Sequence, residues 1–486
     1  KVLLFEGNAP PHPSERLSMY QDPTAVKTET PLKFRERLAY GLGDSASNFF
    51  FHAFNIFLLN YYVDVFGLLP AAVGTMFFVT KLLDAFTDVG MGILSDRTKT
   101  RWGRFRPYLL WMAIPYGLIG YAMFANPDLS QQNKLIYAYI TYSAMMLVYT
   151  AINIPYSSLL GVISPHSGER ETVSTYRFVC AFGAQLMISA FVIPLRDLLG
   201  GGDDAHGYKM TMAIFALLST AIWLFTFMST RERVEPPPEQ TSNLKSDLKE
   251  VIHNGPWLVL LVVALFTLMN VAVRNGATIF FIENYVTDGE KMVFWRFDRI
   301  SFFFITGTAS MVIGSAFTRV LTKRFEKRIL MIALTATNGL MLTAFFFIPP
   351  DQYWTMIFVN ALGTLVVGPT PAIVWAMYAD CADYGEWKND RRSTGLVFSG
   401  ALFAQKTGLA IGAGLAGWIL SFFGYVAGQP QTEMSILGIR LMFSIFPGAL
   451  TILAAACVFF YRIDRNLIHR MEADLTGRRN HGNSAS

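Results

Sequence analysis

Asp84 and Asp88 lie four residues apart in the segment "KLLDAFTDVGMGILSDRTKTRWGRFRP", which runs from Lys81 to Pro107. On a helix that spacing stacks the two carboxylates on one face, one turn apart. Thr87 sits beside that face and Lys81 precedes Asp84 by three residues. Two ionised carboxylates so placed repel each other. A bound Na⁺ relieves the repulsion by coordination, and a bound proton relieves it by neutralising one of the pair. Lys81 is expected to neutralise Asp84 when the site is empty. The stretch is otherwise fit for a bilayer, where each charge near a helix centre costs about 2.5–3.5 kcal/mol on insertion scales. Such charges persist on one span only when they face something other than lipid. The competing reading is a structural ion pair between helices. Arg177, Arg274 (in "NVAVRNGATIFF") and Lys406 are further cations inside apolar stretches.

The chain that must position these charges has 486 residues, of which 52% are hydrophobic and only 15% charged. Soluble domains run at about 25% charged, so the composition points to an all-α membrane protein. The net charge of +5 is small and sits in short loops, which argues against a nucleic-acid partner. Cys180, Cys381 and Cys457 lack CxxC spacing, and His52, His166, His206 and His253 lack metal spacing. The apolar run opening the chain is too short for a signal-peptide core.

A span needs about 20 mostly apolar residues. That criterion predicts twelve, near 38–64, 70–95, 107–126, 134–163, 172–196, 209–229, 256–285, 299–321, 328–348, 353–379, 394–423 and 437–461. The linker "RERVEPPPEQTSNLKSDLKE" cannot span, because of its charges and its proline run. The predicted organisation is a tail over 1–34, a six-helix bundle over 35–230, a linker over 231–254, a second bundle over 255–462 and a tail over 463–486. Lys and Arg gather in the loops around 97–106, 323–328 and 388–392. By the positive-inside rule these loops, both termini and the linker are cytoplasmic. The two halves echo each other weakly, "GERETVSTYR" after span 4 matching "NDRRSTGLVF" after span 10. Such repeats are expected of a secondary transporter whose site lies between two rocking bundles. No P-loop supplies ATP drive.

The segment "LLDAFTDVGMGILSDRTKTRWGRFRPYLLW" resembles the major facilitator superfamily, and within it the glycoside–pentoside–hexuronide:cation symporters, as in melibiose permease. "LAYGLGD" in span 1, "YTAINIPYSSL" in span 4 and "YADCADYGEWKNDRRSTGLVFSGALFAQKTG" across spans 10 and 11 are similar to the same family. The resemblance covers residues 34 to 462. It implies carriage across the inner membrane and no enzymatic role: a sugar or glycoside (pentoside, hexoside or hexuronide) moves with Na⁺ or H⁺ by alternating access, with no other cofactor, in a monomer surrounded by lipid.

Carried over residue by residue, the resemblance places the cation site on Asp84 and Asp88, with an oxygen from Thr150. Thr87 stands where the sodium-coupled relative has asparagine, so either ion fits. Asn48 and Asn153 stand where melibiose permease has two sugar-binding aspartates. Both still donate and accept hydrogen bonds, which suits a polyol. A tryptophan of that site corresponds to Ser157, so Tyr149, Tyr156 or Trp375 is expected to supply the aromatic platform. Arg177 lies by the sugar in this scheme, and Lys406 faces the carboxylates. Arg177 or Arg274 would pair the carboxylate of a hexuronide. Asp96, Arg97, Arg101 and Arg104 would latch the bundles against the stretch 383–392 in the outward-facing state. The rivals are carriage of a lipid-like solute, a membrane sensor that has lost transport, and, weakest, an enzyme, since no nucleophile–base pair lies on the spans.

Overall fold

The computed structural model describes residues 32–234, 254–287, 292–294, 297–389 and 394–484. The helices come in chain order. The first half holds α1 (Phe34–Ile56), α2 (Pro70–Arg97), α3 (Arg106–Ala122), α4 (Gln131–Val162), α5 (Ser167–Gly200) and α6 (Asp204–Ser229). The second half holds α7 (Gly255–Asn284), α8 (Arg299–Ala316), α9 (Lys327–Ala344), α10 (Tyr353–Val367 and, after a break, Thr370–Asn389), α11 (Thr394–Phe422) and α12 (Glu433–Phe443, then Ile445–Val458). A final helix, α13 (Arg465–Ser484), lies in the segment read as a tail. A two-stranded hairpin, β1 (Met292–Phe294) and β2 (Phe297–Asp298), precedes α8.

Among the described residues nine helices are long and apolar enough to cross a membrane. The remaining three of the twelve are α1, α2 and α3. The third is only 17 residues long. Polar residues dilute the other two. Asp44, Asn48, His52 and Asn55 recur along α1 at near-helical spacing and so form one stripe, while α2 carries Lys81, Asp84 and Asp88. The helices least suited to lipid are therefore the ones that face the centre. Elsewhere the outer surface is apolar, with Leu217 74%, Phe347 74% and Phe422 83% exposed. In water such a surface would aggregate; in hydrocarbon it is solvated.

Within the first half α1 packs on α5 and α6, and α3 on α6; within the second α7 packs on α11 and α9 on α12. The halves meet through α2 on α11 and α5 on α8. The contact is close only at the end remote from the termini. There the backbones of α2 and α11 touch, and a Cβ on Gly74 would lie 2.6 Å from the Gly414 carbonyl oxygen. No residue but glycine fits without displacement. The Trp418 indole N–H donates to Thr75 Oγ1 at 3.0 Å, and the Tyr425 hydroxyl crosses between halves to Asp64 Oδ1 at 2.8 Å. One continuous buried apolar core joins both halves at this end. Toward the termini α2 and α11 diverge, and a Cβ at Gly90 or Gly92 would meet nothing within 4 Å. A second core, around Trp257, Met377 and Tyr461, belongs to the C-terminal half alone. The two bundles form a V that opens on the terminus-bearing side.

Candidate functional site

The apex of the V holds the charges. Asp84 is 8% exposed and Thr150, facing it from α4, is 3% exposed. Thr150 Oγ1 lies 2.6 Å from Asp84 Oδ1 and 2.9 Å from Asp88 Oδ1. A hydroxyl carries one proton and donates once, so Thr150 satisfies one carboxylate at a time. The other carboxylate oxygens face Lys406 of α11, whose Nζ lies 2.8 Å from Asp84 Oδ2 and also pairs with Asp88 Oδ2. A single positive group from the C-terminal half is thus held by two acids of the N-terminal half. An ammonium occupies the position where two carboxylates and a hydroxyl would receive a coupling cation.

Lys81 does not fill the role expected of it. Its Nζ donates to Asn55 Oδ1 at 3.2 Å, and among the described residues the ion pair to Asp84 is made by Lys406 instead. The helix explains why: Lys81 lies one turn above Asp84, toward α1, whereas Lys406 approaches both acids from the facing bundle. Lys81, Asn55 and Asp84 line a small cavity of about 100 Å³. The Thr87 hydroxyl is turned back onto its own helix and donates to the Asp84 carbonyl at 2.9 Å.

Below this cluster the V encloses a cavity of about 460 Å³. Five helices line it: α1 through Asn48 and Asp44, α2 through Asp88, α4 through Tyr149, Thr150 and Asn153, α5 through Arg177, and α11 through Lys406. The structure therefore brings together Asn48, Tyr149, Asn153 and Arg177 beside the acid pair. The amide groups are fixed by their neighbours. Asn48 donates to the Asp44 carbonyl at 2.8 Å. Asn153 accepts from Ser47 Oγ at 2.7 Å and donates to the Tyr149 carbonyl at 3.0 Å. Tyr149 stacks on Phe51 with ring centroids 6.0 Å apart, and Tyr156 is buried against Tyr40.

Two expected ligand contacts lie elsewhere. Trp375 is stacked on Phe398 at 5.7 Å within the C-terminal half and is not in the cavity wall. Arg274 is packed over the rings of Phe443 and Phe345, at 4.1 and 4.6 Å from their centroids, and donates to the Phe443 carbonyl. Residue type alone suggests both as ligand contacts; helical phase turns Arg274 into its own bundle, while Trp375 remains 37% exposed beside Phe398. Asp44 and His52 are lining residues that the sequence reading passed over. The signal was present: Asp44, which ends "LAYGLGD", is an acid within a span, one turn before Asn48.

On the terminus-bearing side Asp96, Arg97 and Arg101 are exposed. The backbone N–H groups of Arg104, Phe105 and Arg106 all donate to Glu232, at 2.8–3.0 Å, which ties this loop to the end of its own half. No ion pair joins Asp96, Arg97, Arg101 or Arg104 to the C-terminal half among the described residues. Residues 390–393 of the expected partner stretch lie outside the described residues.

Two helical halves closed at one end around a central cavity lined by charged and amide side chains are the architecture of a major facilitator-type secondary transporter. A solved structure on substrate recognition in proton-dependent oligopeptide transporters shares the fold, with a TM-score of 0.66 over 91% of this chain and 100% of that one at 11% identity. The family described as "MFS/sugar transport protein" matches residues 39–465. The inner membrane symporter YicJ of Escherichia coli K12 is 35% identical over 93% of this chain and 97% of its own. The putative glycoside/cation symporter YagG of the same organism is 36% identical over 86% and 89%. The isoprimeverose transporter of Lactiplantibacillus pentosus is 32% identical over 96% of each. The chain belongs to this family, the glycoside–pentoside–hexuronide:cation symporters of the major facilitator superfamily.

Proposed function

We propose that the protein couples uptake of a sugar or glycoside to a monovalent cation, Na⁺ or H⁺, bound at Asp84 and Asp88. One observation carries the reading: Lys406 of one half is held by both acids of the other, at the apex of a cavity that charged and amide side chains line. An arriving cation competes with Lys406 for the two carboxylates. Once displaced, the lysine no longer ties α11 to α2 in this arrangement, so cation occupancy bears directly on how the halves sit. Asn48, Tyr149, Asn153 and Arg177 contact the solute, with Tyr149 as the aromatic platform. Because solute and cation sites share walls at Asp88, Thr150 and Lys406, each ligand favours the same arrangement, and the assistance is reciprocal by linkage.

With the basic loops cytoplasmic, the V opens inward, and Asp96, Arg97, Arg101 and Arg104 meet the C-terminal half only when the cavity faces out. The protein then works as a monomer in the inner membrane, both termini inside. The decisive experiment is uptake by proteoliposomes of labelled xylosides, glucosides and glucuronides under an imposed Na⁺ or pH gradient. Accumulation above equilibrium with one of the two gradients is expected. Equal internal and external solute under both gradients, for every sugar tried, overturns the reading.

A further inference from the structure

The cavity wall holds a second charged pair. Asp44 of α1 is 8% exposed, and its Oδ2 lies 3.2 Å from Arg177 Nε of α5. The guanidinium also rests over the Tyr156 ring, 5.3 Å from its centroid. Both partners line the 460 Å³ cavity. Their helices are clamped at this level. A Cβ on Gly41, one turn before Asp44, would lie 2.9 Å from the Tyr176 carbonyl oxygen, so the two backbones nearly touch. Ser45 Oγ donates to the Cys180 carbonyl at 2.7 Å, one turn further along α5. The pair cannot be separated by moving the helices apart.

We propose that Asp44 makes this carrier select neutral glycosides over glycosides bearing a carboxylate. The inference rests on the sugar-symport reading and narrows its substrate class. Arg177 is the cation that would otherwise receive a uronide, and Asp44 already holds it. A uronide carboxylate must either displace Asp44, stranding a desolvated anion, or lie beside it as a like charge. Lys406 offers no alternative in this arrangement, since Asp84 and Asp88 both hold it. A neutral sugar meets no such conflict. The hydroxyl groups donate to the Asp44 carboxylate and accept from the remaining Arg177 N–H groups, a donor-plus-acceptor match to a vicinal diol. The other titratable groups facing this pair are the Tyr40, Tyr149 and Tyr156 hydroxyls and, in the cavity wall, His52, which is edge-on to Phe51 and forms no ion pair with Asp44 among the described residues.

The test compares solutes that differ only at C6: nitrophenyl xyloside, glucoside and glucuronide, α and β anomers of each, competing for counterflow in proteoliposomes. The wild-type protein is expected to take a neutral member at least tenfold more tightly than the matching glucuronide (about one power of ten in Kd,). Asp44→Asn frees Arg177 and should shrink or invert that ratio by tenfold or more. Asp44→Glu, which keeps the charge, should restore it, and Asp44→Asn combined with Arg177→Gln should lose the glucuronide gain. Equal wild-type affinity for the glucuronide, or a folded Asp44→Asn protein with the wild-type ratio, overturns the proposal while leaving sugar symport standing. Should neither neutral nor anionic glycosides compete at all, the functional reading falls and this inference with it. The wild-type ratio decides the matter even if Asp44→Asn does not fold.

Discussion

One arginine within a membrane-spanning helix of each half, Arg177 in the first and Arg274 in the second, shows two opposite treatments of an intramembrane charge. In the N-terminal half Arg177 is paired with Asp44 and turned toward the cavity. In the C-terminal half Arg274 lacks a carboxylate partner among the described residues. It is held instead by the Phe443 carbonyl at 2.9 Å, by Asn360 Oδ1 at 3.4 Å and by two aromatic faces. Carbonyl dipoles and ring quadrupoles disperse a charge that never needs to move. A carboxylate partner at the cavity wall suits a charge that, on the proposed reading, exchanges partners during a cycle. The same asymmetry holds for the acids. Asp44, Asp84 and Asp88 all belong to the N-terminal half, and the C-terminal half sends in chiefly Lys406. On the proposed reading one bundle is the receptor and the other supplies a tether.

The sharpest way to break this division is to neutralise the receptor. Removing one partner from a buried ion pair costs about 3–5 kcal/mol, a factor of about 10² to 10³ or more in an equilibrium. Asp84→Asn and Asp88→Asn should therefore each abolish accumulation driven by a cation gradient in proteoliposomes. Wild-type accumulation in either variant would move the coupling site away from α2.

Much of this arrangement was legible in the residues. The charge spacing on α2 and the twelve-span count follow from helical periodicity and bilayer thickness, both local properties. The cavity walls at Asn48, Asn153 and Arg177 were reached through a resemblance, which carries three-dimensional information that one sequence lacks. What stayed illegible was partnership. By spacing alone Lys81, three residues from Asp84, was the natural neutraliser, whereas Lys406, far along the chain, makes the pair and was set against the carboxylates only by the resemblance. Sequence proximity reports neighbours on one helix and says nothing of the helix opposite. For the same reason residue type alone left both Arg177 and Arg274 open as uronide ligands, and it was the resemblance that set Arg177 by the sugar. Only the rotation of α5 and α7 about their axes separates them.

Arg274 sharpens the comparison with a smaller effect. Arg274→Ala would leave the Phe443 carbonyl without its donor and empty the space between two rings. The expected loss is about 2–4 kcal/mol, from an unsatisfied carbonyl and forfeited cation–π contact. A lower melting temperature in detergent should accompany solute affinity within about twofold of wild type, judged against the mild, additive behaviour of distant sites. A tenfold loss of affinity without a change in melting would return Arg274 to the ligand site.

The smallest effect is expected where the halves touch outside the charged site. Asp64 of the N-terminal half accepts from Tyr425 Oη of the C-terminal half at 2.8 Å and from its own neighbour Asn60 at 2.5 Å. The bond exists only while this end is closed, so it contributes to one arrangement and not to the other. A ligand or contact shifts a two-state equilibrium by its differential free energy alone. Tyr425→Phe keeps the ring, which meets Phe280 edge-on at 5.1 Å, and removes one hydrogen bond at a solvent-lined vestibule. That is worth about 1 kcal/mol, or roughly a fivefold shift toward opening at this end. Labelling of a cysteine introduced at Asn126, in the vestibule wall, should quicken by about that factor in the variant, with solute affinity little changed. Unaltered labelling would mean that glycine-mediated backbone contact between α2 and α11 seals this end without help from the tyrosine, and that the closure is a matter of packing.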